Sequence, residues 1–146
     1  MKYIVTATGH ESGATHVRIS NPRDTAYAEL YVGNTVAIGK VIAEDYSLFH
    51  VEEALEAHAP DDTVAWFSWI RVNETSRHRG VGGRLLDAAV AWVFEETPAK
   101  AMYAVTVAVA NDQDPYELQD WYYRHGAEAL APESGNESAE IVWYRP

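Results

Sequence analysis

The chain has 146 residues, of which 47% are hydrophobic, and it carries a formal net charge of −11 with no cysteine. The length suits one compact domain spanning residues 1–146, and the lack of cysteine excludes disulfide bonds, a cysteine nucleophile and a thiolate metal site. The negative charge argues against nucleic acid as a partner and favours cationic partners. The start of the chain is too polar for a signal peptide and no apolar run is long enough to span a membrane, so we expect a cytoplasmic protein.

Before Ser47 the sequence predicts a meander of strands without a helix. Four segments are rich in the Val, Ile, Tyr and Thr that strands prefer: residues 2–8, 14–20, 25–32 and 35–43. Gly33-Asn34, between the last two, has the composition of a two-residue hairpin turn. The first amphipathic helix is expected at residues 47–59, because its apolar residues recur at helical spacing.

The middle of the chain predicts a strand, a turn, a helix and a second strand. Residues 63–72 are apolar on both faces, as in a strand covered above and below. Residues 84–96 have the broad apolar face of a helix, and residues 101–110 again lack polar alternation. A right-handed crossover would place the two strands side by side and parallel. We therefore predict an α/β fold, with a mixed sheet, helices on both faces and a β-rich amino-terminal half.

The turn between the central strand and its helix has the composition of an anion-binding site. Its three glycines, at positions 80, 82 and 83, leave the backbone bare for close approach, and a helix start offers unpaired N–H groups to an anion. No lysine or arginine lies within residues 41–70, whereas four arginines surround this turn: Arg71, Arg77, Arg79 and Arg84. A local arginine patch in an acidic chain predicts a phosphate-bearing ligand.

Three motifs in the second half resemble the Gcn5-related N-acetyltransferase (GNAT) superfamily. Arg77-x-x-Gly80-x-Gly82 has the form of its acyl-CoA signature. Val72 ends the preceding strand five residues earlier, and Tyr122 begins the Tyr-x-x-x-Gly pattern of a later helix. The resemblance implies acetyl-CoA as the cofactor and direct transfer of an acetyl group to an amine. It also implies that the coenzyme A site contains the following residues: Ile70, Val72, Arg77, His78, Arg79, Gly80, Val81, Gly82, Gly83, Arg84 and Asn111.

The resemblance also implies catalytic roles, and it leaves the general base open. Tyr122 is the candidate acid that protonates the departing thiolate. Neither predicted central strand contains a carboxylate, so Glu74 and Asp112, just beyond the ends of these strands, are the first candidates for the base. Further carboxylates are alternatives, of which the last two are weaker: Asp114, Glu117, Glu29 and Glu44.

The resemblance leads us to expect an unusual acceptor side. The family normally places two helices after its first strand, where they shape the acceptor pocket. Because no helix is predicted there, we expect an open groove, which suits a lysine or other amino group on a protein, and next a polyamine or small amine. Residues 112–115 also lengthen the interval between Asn111 and Tyr122 relative to the family pattern.

Two other classes of function stay open. One is a non-catalytic member of the fold whose acidic surface binds a basic partner, and the other is an enzyme of this fold that modifies nucleic acid. No pair among the six histidines has helical ligand spacing, so no metal is expected. No motif encodes the oligomeric state, and a homodimer is left open.

Overall fold

The computed structural model describes residues 2–74, 79–106, 115–132 and 139–146. These residues form seven strands and four helices, in the order β1 (Ile4–Gly9), β2 (Thr15–Ser20), β3 (Ala26–Asn34), α1 (Thr35–Ala43), α2 (Phe49–Ala57), β4 (Thr63–Val72), α3 (Val81–Glu96), β5 (Ala101–Val105), α4 (Pro115–Arg124), β6 (Glu128–Ala129) and β7 (Glu140–Tyr144). None of these helices is both long and apolar enough to cross a membrane.

The strands form one mixed sheet in the order β1-β2-β3-β4-β5-β7-β6. Neighbouring strands are antiparallel except β4 and β5, which are parallel. Helix α3 makes the crossover between these two, since a parallel pair cannot be joined by a tight turn. The predicted parallel central pair is therefore confirmed.

Each face of the sheet is covered by two helices and has its own core. On one face, α3 and α4 contribute Leu85, Leu86 and Tyr122, which pack with strand residues such as Phe67 and Trp143. On the other face, α1 and α2 contribute their own buried residues, which are Ile38, Val41, Ile42, Val51 and Leu55. The predicted α/β class with helices on both faces is confirmed.

The prediction of a fourth amino-terminal strand is wrong, because residues 35–43 form helix α1. Asn34 is not part of a hairpin turn. Its side chain caps the helix by accepting the N–H of Ala37 at 2.8 Å. The β-branched residues of this segment are spaced so that Ile38, Val41 and Ile42 share one buried face, and this burial outweighs their preference for strands.

Two helices, α1 and α2, therefore lie between the third and fourth strands, and none follows the first strand directly. The premise of the expected open groove, that no helix lies before Ser47, is wrong. α1 contacts both β3 and α2, and these contacts hold the two helices on the sheet. The face that α1 and α2 cover is consequently shaped by helices.

Other boundaries differ from the predictions by a few residues. The strand at 63–72 agrees with β4, whereas the second helix is Phe49–Ala57 and the third begins at Val81 and not at residue 84. β5 ends at Val105, and residues 107–110 of the predicted strand lie outside the described residues. The two-residue strand β6 was not predicted, because its length gives no periodic signal.

Candidate active site

Near its start, β4 pairs with a strand on each side, whereas near its end the described pairing is with β3. The described pairing with β5 joins Ala65 to Met102 and Trp66 to Tyr103, whereas pairing with β3 continues as far as Val72. The β3–β4 register shifts between Trp69 and Phe67, so that Ser68 forms a β-bulge. A bulge bends its strand and increases its twist. Trp66 is the last β4 residue in a described pair with β5, so within the described residues the two strands separate between Trp66 and the bulge, which lies two residues further along β4.

Helix α3 begins beside this separation with a turn that only glycine adopts readily. Gly80 is its N-cap residue and has a φ of 75°, in the left-handed region. The N–H of Arg84 donates to the carbonyl of Gly80 at 3.1 Å. The guanidinium of Arg84 folds back over this turn, since a Cβ on Gly80 would lie 3.0 Å from its Nη1. Arg79 precedes the cap and is exposed, so two cationic side chains flank the start of the helix.

Gly82 and Gly83 let α3 pack closely against its neighbours. A Cβ on Gly82 would lie 3.2 Å from a methyl carbon of Val72, and one on Gly83 would lie 2.8 Å from Cε1 of His125. His125 is held in place, because its Nδ1 lies 2.8 Å from Oδ1 of Asp87. The sequence suggested that these glycines clear space for a ligand. The structure shows that they also join α3 to β4 and to the end of α4.

Tyr122 lies on the α3/α4 face, next to the bulge. It is only 6% exposed, and its ring makes edge contacts with Phe67, Trp121 and Trp143. Phe67 is the residue before the bulge at Ser68. Burial raises the pKa of Tyr122 well above its usual range, so the hydroxyl is protonated at neutral pH.

The remaining predicted residues are only partly brought together. Ile70, Val72 and Val81 are half-buried against the α3/α4 core, near the end of β4 and the start of α3. Glu74 follows β4 and is exposed, as is Glu117 in the first turn of α4. Five predicted residues lie outside the described residues: Arg77, His78, Asn111, Asp112 and Asp114.

Glu29, one of the weaker candidates for the base, lies on β3. Its β3 position pairs directly with Trp69 of β4, on the face opposite α3 and α4. Tyr31 lies on the same face, and burial raises its pKa, assisted by the negative charges of Glu29, Glu44 and Asp45. An acidic and aromatic surface therefore lies across the sheet from the basic turn.

His10, Glu11 and Glu44 form a cluster that resembles a metal site in composition. One ligand atom from each residue lies within 4.8 Å of the others. Nδ1 of His10 accepts the N–H of Ser12 at 3.2 Å. Exposed acidic groups commonly cluster without an ion, and no further observation among the described residues points to a cation here, so we assign no metal to this cluster.

Comparison with known proteins agrees with this geometry. Residues 10–130 match the Acetyltransferase (GNAT) family. Among solved structures, the chain is similar to one described as "Crystal structure of AtaTR bound with AcCoA", with a TM-score of 0.53 and 11% sequence identity, covering 90% of this chain and 70% of that chain. This likeness concerns the fold alone. A comparison with curated proteins finds no match. Because the family match covers most of its length, this chain belongs to the GNAT family of acetyltransferases.

Proposed function

We propose that this protein transfers an acetyl group from acetyl-CoA directly to a primary amine that is cationic in solution. The observation that carries the proposal is the separation of β4 from β5 at the Ser68 bulge, beside the glycine cap and arginines of α3. Family membership supports acetyl transfer as the reaction. The net charge of −11 supports a cationic acceptor, because it attracts cations over long distances.

The acceptor class is a lysine or other amino group on a protein, or a polyamine. A protein acceptor was favoured because no helix was predicted before Ser47. This reason no longer applies, since α1 lies there and α2 follows it. Charge supports both classes equally, and an acceptor comparison distinguishes them. Nucleic acid is disfavoured as a partner by the same charge.

The described residues fit the diphosphate and the extended arm of the cofactor. The N–H groups at the start of α3, with Arg79 and Arg84, would bind the phosphates. The side of β4 that faces away from β3, at Ile70, would lie along the arm. Bound acetyl-CoA supplies an activated thioester, and the protein supplies orientation and hydrogen bonds.

Tyr122 is the proposed acid on this side of the sheet. Because burial favours its neutral form, the hydroxyl holds its proton at neutral pH and can donate a hydrogen bond to a departing thiolate. Its edge contact with Phe67 fixes the ring beside the bulge. Replacement of Tyr122 by Phe keeps the packing and removes the donor.

The test is calorimetry with acetyl-CoA, followed by an assay for thiol release with a lysine-containing peptide and with spermidine. We expect a Kd in the micromolar range, about −8 kcal/mol, and acetylation of at least one of the two amines. Arg84→Gln should weaken acetyl-CoA binding several-fold, whereas Lys40→Gln, an equal loss of charge in the last turn of α1, should not. Arg84 is preferred to Gly82 as the test position because it is exposed, whereas a side chain at Gly82 would press on Val72.

Two results would contradict the proposal. Absence of acetyl-CoA binding at millimolar concentration would remove the cofactor assignment. Binding without thiol release for any amine would instead indicate a non-catalytic member of the family.

A further inference from the structure

We infer that Glu29 accepts the proton of the acceptor amine, and that His16 and Tyr31 are positioning residues for this carboxylate. The inference rests on the proposed function. It begins with the register of the sheet, in which Glu29 of β3 lies directly opposite Trp69 of β4. Directly opposite residues have Cβ atoms about 5 Å apart, and Trp69 follows the bulge at Ser68. Glu29 is therefore one strand away from the place where β4 separates from β5.

The carboxylate of Glu29 is not neutralised by the arginine across from it. Arg18 is its register partner on β2, but the guanidinium binds Asp24 at 2.9 Å and lies 4.4 Å from the ring centre of Tyr27. Within the described part of the chain, the ion-pair contact of Glu29 is with His16, at 3.9 Å. Its side chain is 33% exposed, so an incoming amine can reach it.

His16 places an unsatisfied nitrogen next to this carboxylate. Its Nε2 is buried and has no hydrogen-bond partner among the described residues, although buried polar atoms nearly always have one. The distance to Glu29 is too long for a direct hydrogen bond. A water molecule bound between them, or a proton shared by them, would give both Nε2 of His16 and the carboxylate of Glu29 a hydrogen-bond partner. The imidazole ring is held by Tyr31, whose ring centre lies 4.8 Å away.

The same surface can recognise an ammonium group before the proton leaves. The ring of Tyr31 offers a π face, and the negative charges of Glu44 and Asp45 act at this ring together with that of Glu29. Tyr46, the next residue, packs on Trp66 of β4 with ring centres 5.9 Å apart. The segment after α1 therefore brings carboxylates to the acceptor side of the central strand.

The proposed step balances in protons and bonds. The ammonium gives one proton to the carboxylate of Glu29, and the neutral nitrogen forms a bond to the acetyl carbon while the carbon–sulfur bond breaks. Tyr122, on the other face, gives its proton to the leaving thiolate, and the second nitrogen-bound proton replaces the one that Tyr122 has given up. Glu29, whose side chain is 33% exposed, returns its proton to solvent. One amide, one thiol and one proton are formed for each ammonium consumed.

The experiment compares wild type with Glu29→Gln over the pH range in which the better of the two amines, the lysine peptide or spermidine, is acetylated, using the full chain. We expect kcat to fall about 100-fold, in the range of general-base contributions, while the Kd for acetyl-CoA is unchanged. The acidic limb of the pH–rate profile should disappear. Other charged or titratable groups face Glu29 and must be kept intact in this comparison: His16, Arg18, Tyr27, Tyr31, Glu44, Asp45 and Arg71. Glu53→Gln, on the exposed side of α2, is the control with the same change in charge.

His16→Asn tests positioning separately. It should lower kcat less than Glu29→Gln does, displace the acidic limb of the profile, and add no further loss when combined with Glu29→Gln. The inference alone is overturned if wild type is active and Glu29→Gln keeps kcat within twofold. It is equally overturned if the variant loses acetyl-CoA binding or thermal stability to the same degree, since Glu29 would then be structural. An inactive wild type would overturn the proposed function and this inference together.

Discussion

Charged residues at the two ends of β4 differ in how many of them have ion-pair or hydrogen-bond partners. At the Thr63 end, Lys100 binds Asp62 at 2.9 Å, and the opposite carboxylate oxygen of Asp62 accepts the N–H of Ala59. At the Val72 end, none of the ion pairs within the described ranges involves Arg79 or Arg84, and Glu29 has only a distant histidine. Charges that are satisfied by neighbours hold the fold, whereas charges left without such neighbours can bind ligands.

The backbone shows the same contrast. At the Thr63 end, the N–H of Lys100 donates to the carbonyl of Thr63, and the guanidinium of Arg145 donates to two carbonyls of the α3–β5 connection. At the Val72 end, β4 separates from β5 and the chain enters the cap of α3. One end is thus fixed by hydrogen bonds between neighbouring segments, whereas the described residues at the other end show no pairing between β4 and β5.

Glu140 is the exception that tests this contrast most strongly, because it is a structural carboxylate at the Val72 end. It is buried, and its Oε1 accepts the N–H of Val51 at 2.9 Å. The N-cap residue of α2, Leu48, makes no side-chain cap, so Glu140 caps this helix from another strand. Glu140→Ala should lower the free energy of unfolding by about 2–3 kcal/mol, as measured in urea.

Glu140→Gln is the matched variant, since it keeps an acceptor oxygen and should lose less than half as much stability. A loss below about 0.5 kcal/mol for Glu140→Ala, the size of an ordinary surface substitution, would mean that burial and pairing do not identify structural charges at this end.

Gly83 lies in the glycine turn at the Val72 end of β4, and its role there is packing against His125. Its Cβ would meet the His125 ring at 2.8 Å, and that ring is fixed by Asp87 and by contact with Trp121. Gly83→Ala should cost about 1–3 kcal/mol through overpacking. The same substitution in a His125→Ala background should cost much less, and a double-mutant cycle measures the difference. Equal costs in both backgrounds would show that the clash is not the cause.

Much of the second half of the fold could be predicted from the sequence, for a physical reason. The bounds of β4 follow from an apolar run between two polar segments, and the crossover follows from the chirality of parallel strands. The glycine pattern indicated a turn before α3, where Gly80 has a positive φ, although the helix begins at Val81 and not at residue 84. These signals are local, so neighbouring residues are enough to reveal them.

The parts that could not be predicted depend on distant contacts. Helix α1 has the composition of a strand, and this composition competes with the helical spacing of Ile38, Val41 and Ile42, which burial against the sheet favours. Glu29 was ranked among the weaker candidates, and its surroundings depend on the bulge at Ser68 and on the binding of Arg18 to Asp24. Neither effect has a signature within the neighbouring sequence.

Tyr103 is a buried titratable group whose contribution to the stability of the fold depends on pH in the alkaline range. Its hydroxyl and Nε2 of His58 are hydrogen-bonded at 2.8 Å, and burial, with a smaller contribution from Tyr144, raises the pKa of Tyr103 to about 12. The unfolded chain ionises this group near pH 10, so its contribution to stability is complete below that value and is lost as the pH rises towards 12. Tyr103→Phe should cost about 1 kcal/mol at pH 7.

The pH dependence distinguishes this explanation from simple loss of packing. Between pH 10 and 12, the free energy of unfolding should fall less steeply for Tyr103→Phe than for wild type. Parallel curves for the two proteins would contradict the raised pKa.

Asp62 gives the smallest expected effect and the cleanest separation of the two ends. The hydrogen bond from Lys100 is the main cause that lowers the pKa of Asp62 in the folded chain. A lowered pKa means that the stabilisation is present above the unfolded value and is lost as the pH falls below about 4. Asp62→Asn should therefore flatten the acid branch of stability against pH, and Lys100→Gln should do the same from the other side of the pair. Both variants should keep wild-type acetyl-CoA affinity, because the pair lies at the Thr63 end; a weaker affinity in either would mean that the base of the sheet is coupled to its ligand-binding end.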